Sequence, residues 1–172
     1  MYTYPFSSKQ KTISNQWVSK KDKPLCIIGS EGTGKSMLAS QLLKDTHIIH
    51  INSDHIKYKG DLIEYIQSIL FKKDILMMCS MKRSYKSLVI DDFHYFVKYD
   101  KINAMKLIDF VKDIYKKTRN YLIIFIISEI DHKLVTKIKD SSYVLPIKYI
   151  PSFYKKIKKQ SLITSNPSNY HT

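Results

Sequence analysis

Short, mostly apolar runs alternate along this chain with longer stretches whose apolar residues recur at helical spacing. Pro24-Leu-Cys-Ile-Ile28, His47–Asn52, Ser87–Asp92, Tyr121–Ile127 and Tyr143–Lys148 read as strands. Between them, Lys35–Lys44 reads as a helix, and Asp61–Phe71 carries apolar residues at 62, 63, 66, 69 and 70. Asn103–Tyr115 repeats the pattern at 104, 105, 107, 108, 110, 111 and 114, and His132–Lys139 predicts a further short helix. Strands without polar alternation are buried on both faces, so the pattern predicts an α/β fold with a parallel sheet between two helical layers. Pro146 has no N–H for a ladder, which places the last strand at a sheet edge.

Three divisions follow. Residues 1–23 form a basic, largely polar N-terminal segment in which Trp17 and Val18 are the only apolar pair near the first strand, and no element is assigned to them. Residues 24–150 form the α/β domain, and 151–172 a basic C-terminal piece whose end, from Ser161, is expected to fray. Residues 72–86 are basic and mixed, with Met77, Met78 and Met81 expected to fill gaps in the core.

The chemistry is concentrated in one loop. The chain has 4 glycines, and Gly29, Gly32 and Gly34 fall within Gly29-Ser-Glu-Gly-Thr-Gly-Lys-Ser36, between the first strand and the first helix. Strand, glycine-rich loop and helix in that order are the context of a Walker A motif. Amides of Gly29, Ser30, Glu31, Gly32, Thr33 and Gly34 would close around phosphate oxygens, aided by the helix N-terminus. Lys35 would reach the β and γ phosphates, and the Ser36 hydroxyl would bind Mg²⁺. A triphosphate site also needs a carboxylate at a neighbouring strand end, and Asp91 and Asp92 stand at the end of the third apolar run. Asp91 is assigned to Mg²⁺, directly or through water, and Asp92 to orienting the attacking water. Ser128, closing the fourth strand, is a candidate partner of the γ-phosphate or that water, with Glu129 a second candidate for water activation. The guanine-selective Asn-Lys-x-Asp pattern is absent, which favours ATP.

Charge adds a second expectation. A net charge of +14 over 172 residues is carried almost wholly by lysine, since Arg83 and Arg119 are the only arginines. No acidic residue precedes Asp22 and none follows Asp140. Such a surface favours DNA as a non-specific electrostatic partner, although a Lys- and Ile-rich composition alone also produces it. No apolar run approaches the roughly 20 residues of a membrane span, and the N-terminus lacks a signal-peptide core. The expected location is intracellular, nuclear or cytoplasmic. Cys26 and Cys79 have no paired spacing, so neither a disulfide nor a zinc site is expected.

The Walker A loop, the Val89-Ile-Asp-Asp92 stretch and a long apolar strand ending in Ser128 together resemble an AAA+ ATPase. His50-Ile-Asn-Ser-Asp54 is similar to a stretch of the large subunit of the eukaryotic-type sliding-clamp loader. Arg119–Ser128 looks like that family's sensor-1 strand, and Lys137–Pro151 like the segment leading into its lid. The resemblance spans roughly residues 15–155 and implies a five-stranded sheet of order 5-1-4-3-2, the AAA+ type of P-loop NTPase. It further implies ATP and Mg²⁺ as cofactors, DNA-replication proteins or other AAA+ subunits as partners, and a lid, of which 151–172 would be a remnant. Two departures bear on activity: Asp92 stands where clamp loaders place Glu, and Asp140-Ser-Ser142 replaces the arginine-finger motif. A nucleotide-binding structural subunit without turnover and a small nucleoside or nucleotide kinase are the alternatives.

Overall fold

A computed structural model of the chain describes residues 4–58, 60–71, 86–117, 121–128, 132–148 and 150. Its centre is a parallel sheet of β1 (Leu25–Ile28), β2 (His47–Ile51), β3 (Lys86–Ile90), β4 (Leu122–Ile127) and β5 (Tyr143–Pro146). The strand order is β2-β3-β4-β1-β5, which from the other edge is the 5-1-4-3-2 order expected. Pro146 lies on the edge strand β5, as its missing N–H requires.

Alternate residues of each strand feed two cores. Cys26, Ile28, Leu88, Ile90, Ile123, Phe125 and Ile127 point to one face. There they meet α3 (Leu62–Leu70), α4 (Phe93–Tyr99), α5 (Lys101–Lys117) and α6 (Lys133–Asp140). Leu25, Ile27, Val89, Leu122, Ile124 and Ile126 point to the other, against α1 (Ser8–Lys20) and α2 (Lys35–Leu42). Helices on both sides bury the central strands β1, β3 and β4, which is why these read as nearly unbroken apolar runs, whereas the edge strand β2 exposes His47 and His50.

Helix ends follow from local chemistry. Asp61 caps α3, accepting from the amides of Ile63 at 2.8 Å and Glu64 at 3.1 Å. Leu62, Ile66 and Leu70 then fall on one buried stripe. His132 Nδ1 accepts from the Leu134 amide at 3.1 Å and starts α6.

The N-terminal residues, to which the sequence pattern assigns no element, form a helix. Ser7 and Gln10 form a capping box, each side chain accepting from the other's backbone amide, and α1 runs to Lys21 in the left-handed region. Trp17 is fully buried and Tyr4 nearly so, while Val18, its sequence neighbour, is exposed. One indole every few turns makes too weak a stripe to announce a helix. Helix α4 was also unassigned: Phe93, Phe96 and Val97 carry helical spacing, but the aspartates before them mark the end of a strand. In α5, Met105 belongs to the apolar pattern yet is 51% exposed, beside exposed Tyr99 and Ile102. Met77, Met78, Met81 and the C-terminal piece 151–172 lie outside the described residues. No helix among the described residues is long and apolar enough to cross a membrane.

Candidate functional site

The loop after β1 is held against the sheet by its glycines. The Gly29 amide donates to Ile127 O at 3.3 Å. A Cβ on Gly29 would lie 2.5 Å from the Ile147 carbonyl oxygen, so only glycine lets the two backbones approach. Gly32 and Gly34 take φ of 73° and 79°, and Gly34 heads α2. Thr33 is buried and its hydroxyl donates to Ser30 O at 2.8 Å, tying the loop to itself. Ser30 and Glu31 are exposed at the rim.

Lys35 is only 8% exposed, and its Nζ donates to Gly29 O and Ser30 O, both at 2.8 Å, and to Ser128 Oγ at 3.4 Å. Next along the helix, Ser36 Oγ donates to Asp91 Oδ2 at 2.6 Å. Lys35, Ser36, Asp91, Asp92 and Ser128 thus line one cleft of about 500 Å³, together with Glu31 and Tyr95. These strand ends and the head of α2 converge because β1, β3 and β4 are parallel neighbours in the sheet. Glu129 lies outside the described residues.

The acid pair is held from several sides. The Asp91 amide donates to Ile51 O at 2.7 Å, extending the β2–β3 ladder by one bond. Burial pushes the Asp91 carboxyl up. Hydrogen bonds from His50, from Ser36 and from the Asp92 amide outweigh it and hold the group below the ordinary carboxylate value. His50 Nε2 lies 3.4 Å from Asp91 Oδ2, and that hydrogen bond raises the imidazole above its ordinary value. Asp92, partly buried, has a φ of 53°, a left-handed backbone at the head of α4. Below the cleft, the Ser128 amide donates to His94 Nδ1 at 3.4 Å. Burial lowers the His94 value, so the ring is neutral and its proton sits on Nε2. That Nε2 is buried with no hydrogen-bond partner among the described residues.

No protein-family model and no curated protein matches this chain in sequence. Solved structures do match its fold. The AAA domain of FIGL-1, in complex with ADP, aligns with a TM-score of 0.62 over 93% of this chain at 12% identity. PCH-2 of C. elegans aligns at 0.57 over 95% at 14% identity, and a Walker-type ATPase of Pyrococcus abyssi at 0.56 over 91% at 13% identity. The fold is that of the AAA+ P-loop ATPases. The chain spans 49%, 57% and 59% of PCH-2, the Pyrococcus protein and the FIGL-1 chain respectively, so it corresponds to about half of each.

Within this AAA+ fold the cleft has the donors a metal–triphosphate needs. The Ser36 hydroxyl and the Asp91 carboxylate are hard oxygen ligands suited to a small divalent cation. The Lys35 ammonium and the amides at the head of α2 suit phosphate oxygens. His50, His94 and Tyr95 were not anticipated. Each sits next to a site residue in space, and only His50 had a signal: it lies one position before the end of the strand beside β3.

Proposed function

We propose that this chain binds ATP with a divalent cation in the cleft and hydrolyses it, and that it works on DNA beside replication proteins. The observation that carries the first part is the 2.6 Å bond between Ser36 and Asp91, one residue from a lysine that is itself within 3.4 Å of Ser128. Residues from a loop, a helix and two strand ends meet there, in a fold shared with an AAA domain found with ADP.

In this reading the cation, Mg²⁺ in the simplest case, withdraws charge from the phosphates. Ser36 and Asp91 hold it, Asp91 remaining ionised because its hydrogen bonds outweigh burial. Lys35 places a fixed positive charge where phosphate charge develops. Asp92 accepts a proton from the attacking water, and Ser128 orients the water or the γ-phosphate. His94, through the Ser128 amide, keeps that strand end in register with α4. The replication role and a clamp-loader-like partner rest on the sequence resemblance and the +14 charge. The P-loop domain is read as 24–150 with 151–172 as a basic flank, while residues 1–23, expected to flank it too, contribute Tyr4 and Trp17 of α1 to its core.

Lys35→Ala decides the nucleotide part. ATP affinity, measured by filter retention or a fluorescent analogue, should fall below detection; unchanged affinity would remove the proposal. The second reading, a subunit that binds ATP without turning it over, is favoured by Asp92 in place of the longer Glu. Tight binding with background hydrolysis, with and without primed DNA, would select it.

A further inference from the structure

Beside the cleft, against Asp91, stands a nitrogen donor that the proposed roles do not use. His50 lies on β2, opposite Val89 of β3, and the next residue, Ile51, accepts the Asp91 amide. Both side chains therefore rise from adjacent, ladder-bonded strands. His50 Nε2 comes to 3.4 Å from the same Asp91 oxygen that Ser36 contacts at 2.6 Å. Neighbouring ligands that each sit about 2.1 Å from one ion are themselves roughly 3 Å apart, and both separations from the shared Asp91 oxygen, 3.4 and 2.6 Å, are close to that spacing. The imidazole is about half exposed.

We propose that His50 is a ligand of the cation that Ser36 and Asp91 hold, and that this gives the site a preference for a first-row transition ion over Mg²⁺. The inference rests on the nucleotide–cation reading above. Oxygen donors alone suit Mg²⁺, whereas an imidazole nitrogen favours transition ions, with Mn²⁺ accepting both donor types. A histidine that merely orients Asp91 by a hydrogen bond would leave the ion with oxygen ligands only and no such preference.

Mn²⁺ with inorganic triphosphate is the probe, because it is paramagnetic and contains no nitrogen. In pulsed electron-spin resonance the wild-type complex should give the nitrogen coupling of a directly bound imidazole, and His50→Gln should lose it. The preference for Mn²⁺ over Mg²⁺, from competition titration with triphosphate present, should fall roughly tenfold or more in the variant. Gln at this position still offers a donor to Asp91, so it separates ligation from orientation. Mn²⁺–triphosphate bound without imidazole coupling in the wild type overturns the inference, and that spectrum decides even if the variant fails to fold. Coupling that persists in His50→Gln overturns it too. If the wild type and Lys35→Ala both fail to bind Mn²⁺–triphosphate, the nucleotide reading itself falls and His50 with it.

Discussion

Asp92 combines a carboxylate in the cleft with a backbone conformation that side chains disfavour, φ 53° at the head of α4. The two properties can be separated. Glycine adopts that conformation freely, so Asp92→Gly should keep stability within about 1 kcal/mol of the wild type by urea unfolding. If Asp92 takes the proton of the attacking water, phosphate release should drop about 100-fold or more in the same variant. A folded variant with undiminished hydrolysis would assign that step to another group. Asp92 and its neighbours were legible in the sequence because each stands inside a contiguous motif: a glycine-rich loop, or an acid pair closing an apolar run. His94 was not, and His50 had only its place near the end of a strand. Their roles depend on strand register and on how α4 packs beneath β4, which place them beside residues 41 and 34 positions away along the chain. The close approach of Gly29 to Ile147 is of the same kind, since the glycine is visible in the sequence but the carbonyl it faces is not.

Among the elements, the strands and α3, α5 and α6 were legible because burial on one or both faces writes a period into the sequence. Helix α1 was not, since its attachment depends on one large residue. Trp17 is fully buried in the core shared with Leu38, Leu43 and Ile126. Trp17→Ala should therefore cost about 3–5 kcal/mol in urea unfolding, a large share of a typical domain's stability. Val18→Ala, at an exposed position, should stay within about 0.5 kcal/mol. Similar small losses from both would mean that α1 is a loose flank and not part of the domain. Helix α3 supplies a pH test. Hydrogen bonds from the Glu64 amide and from Lys106, with the Ile63 amide, lower the Asp61 carboxyl below its ordinary value of 3.8. A lowered folded value means the charged cap stabilises the protein above the unfolded value and loses that contribution as pH falls through the folded one. Asp61→Asn retains a capping oxygen without the charge. It should be less stable than the wild type near neutrality, with the gap closing below about pH 3.8. A gap independent of pH would show that the charge is immaterial.

Across the whole molecule, the carboxylates are unevenly divided between the two faces of the sheet. Asp61, Glu64, Asp109 and Asp113 line a groove between α3 and α5. On the opposite side, α1 and α2 contain no acidic residue, and Lys9, Lys11 and Lys20 are exposed along α1. If the chain binds DNA as proposed, the polyanion meets no carboxylate along α1 but four at the α3–α5 groove, which makes α1 the favoured docking face. DNA binding, followed by fluorescence anisotropy across a salt series, should weaken steeply and show little dependence on sequence. Each lysine that neutralises a phosphate adds close to one to the slope of log affinity against log salt. Replacing Lys9, Lys11 and Lys20 with Gln should thus flatten the slope by roughly 2–3. Replacing Lys112 and Lys116, which stand on α5 beside Asp109 and Asp113, Lys116 being paired with Asp113, should leave it nearly unchanged. The slope comparison matters more than affinity alone, because a general loss of positive charge would lower affinity in both variants, whereas only phosphate contact removes counterion release from one of them. Equal flattening in the two variants would mean that the charge acts as a diffuse cloud and that α1 is no docking face. Binding that survives high salt would reject an electrostatic DNA partner altogether.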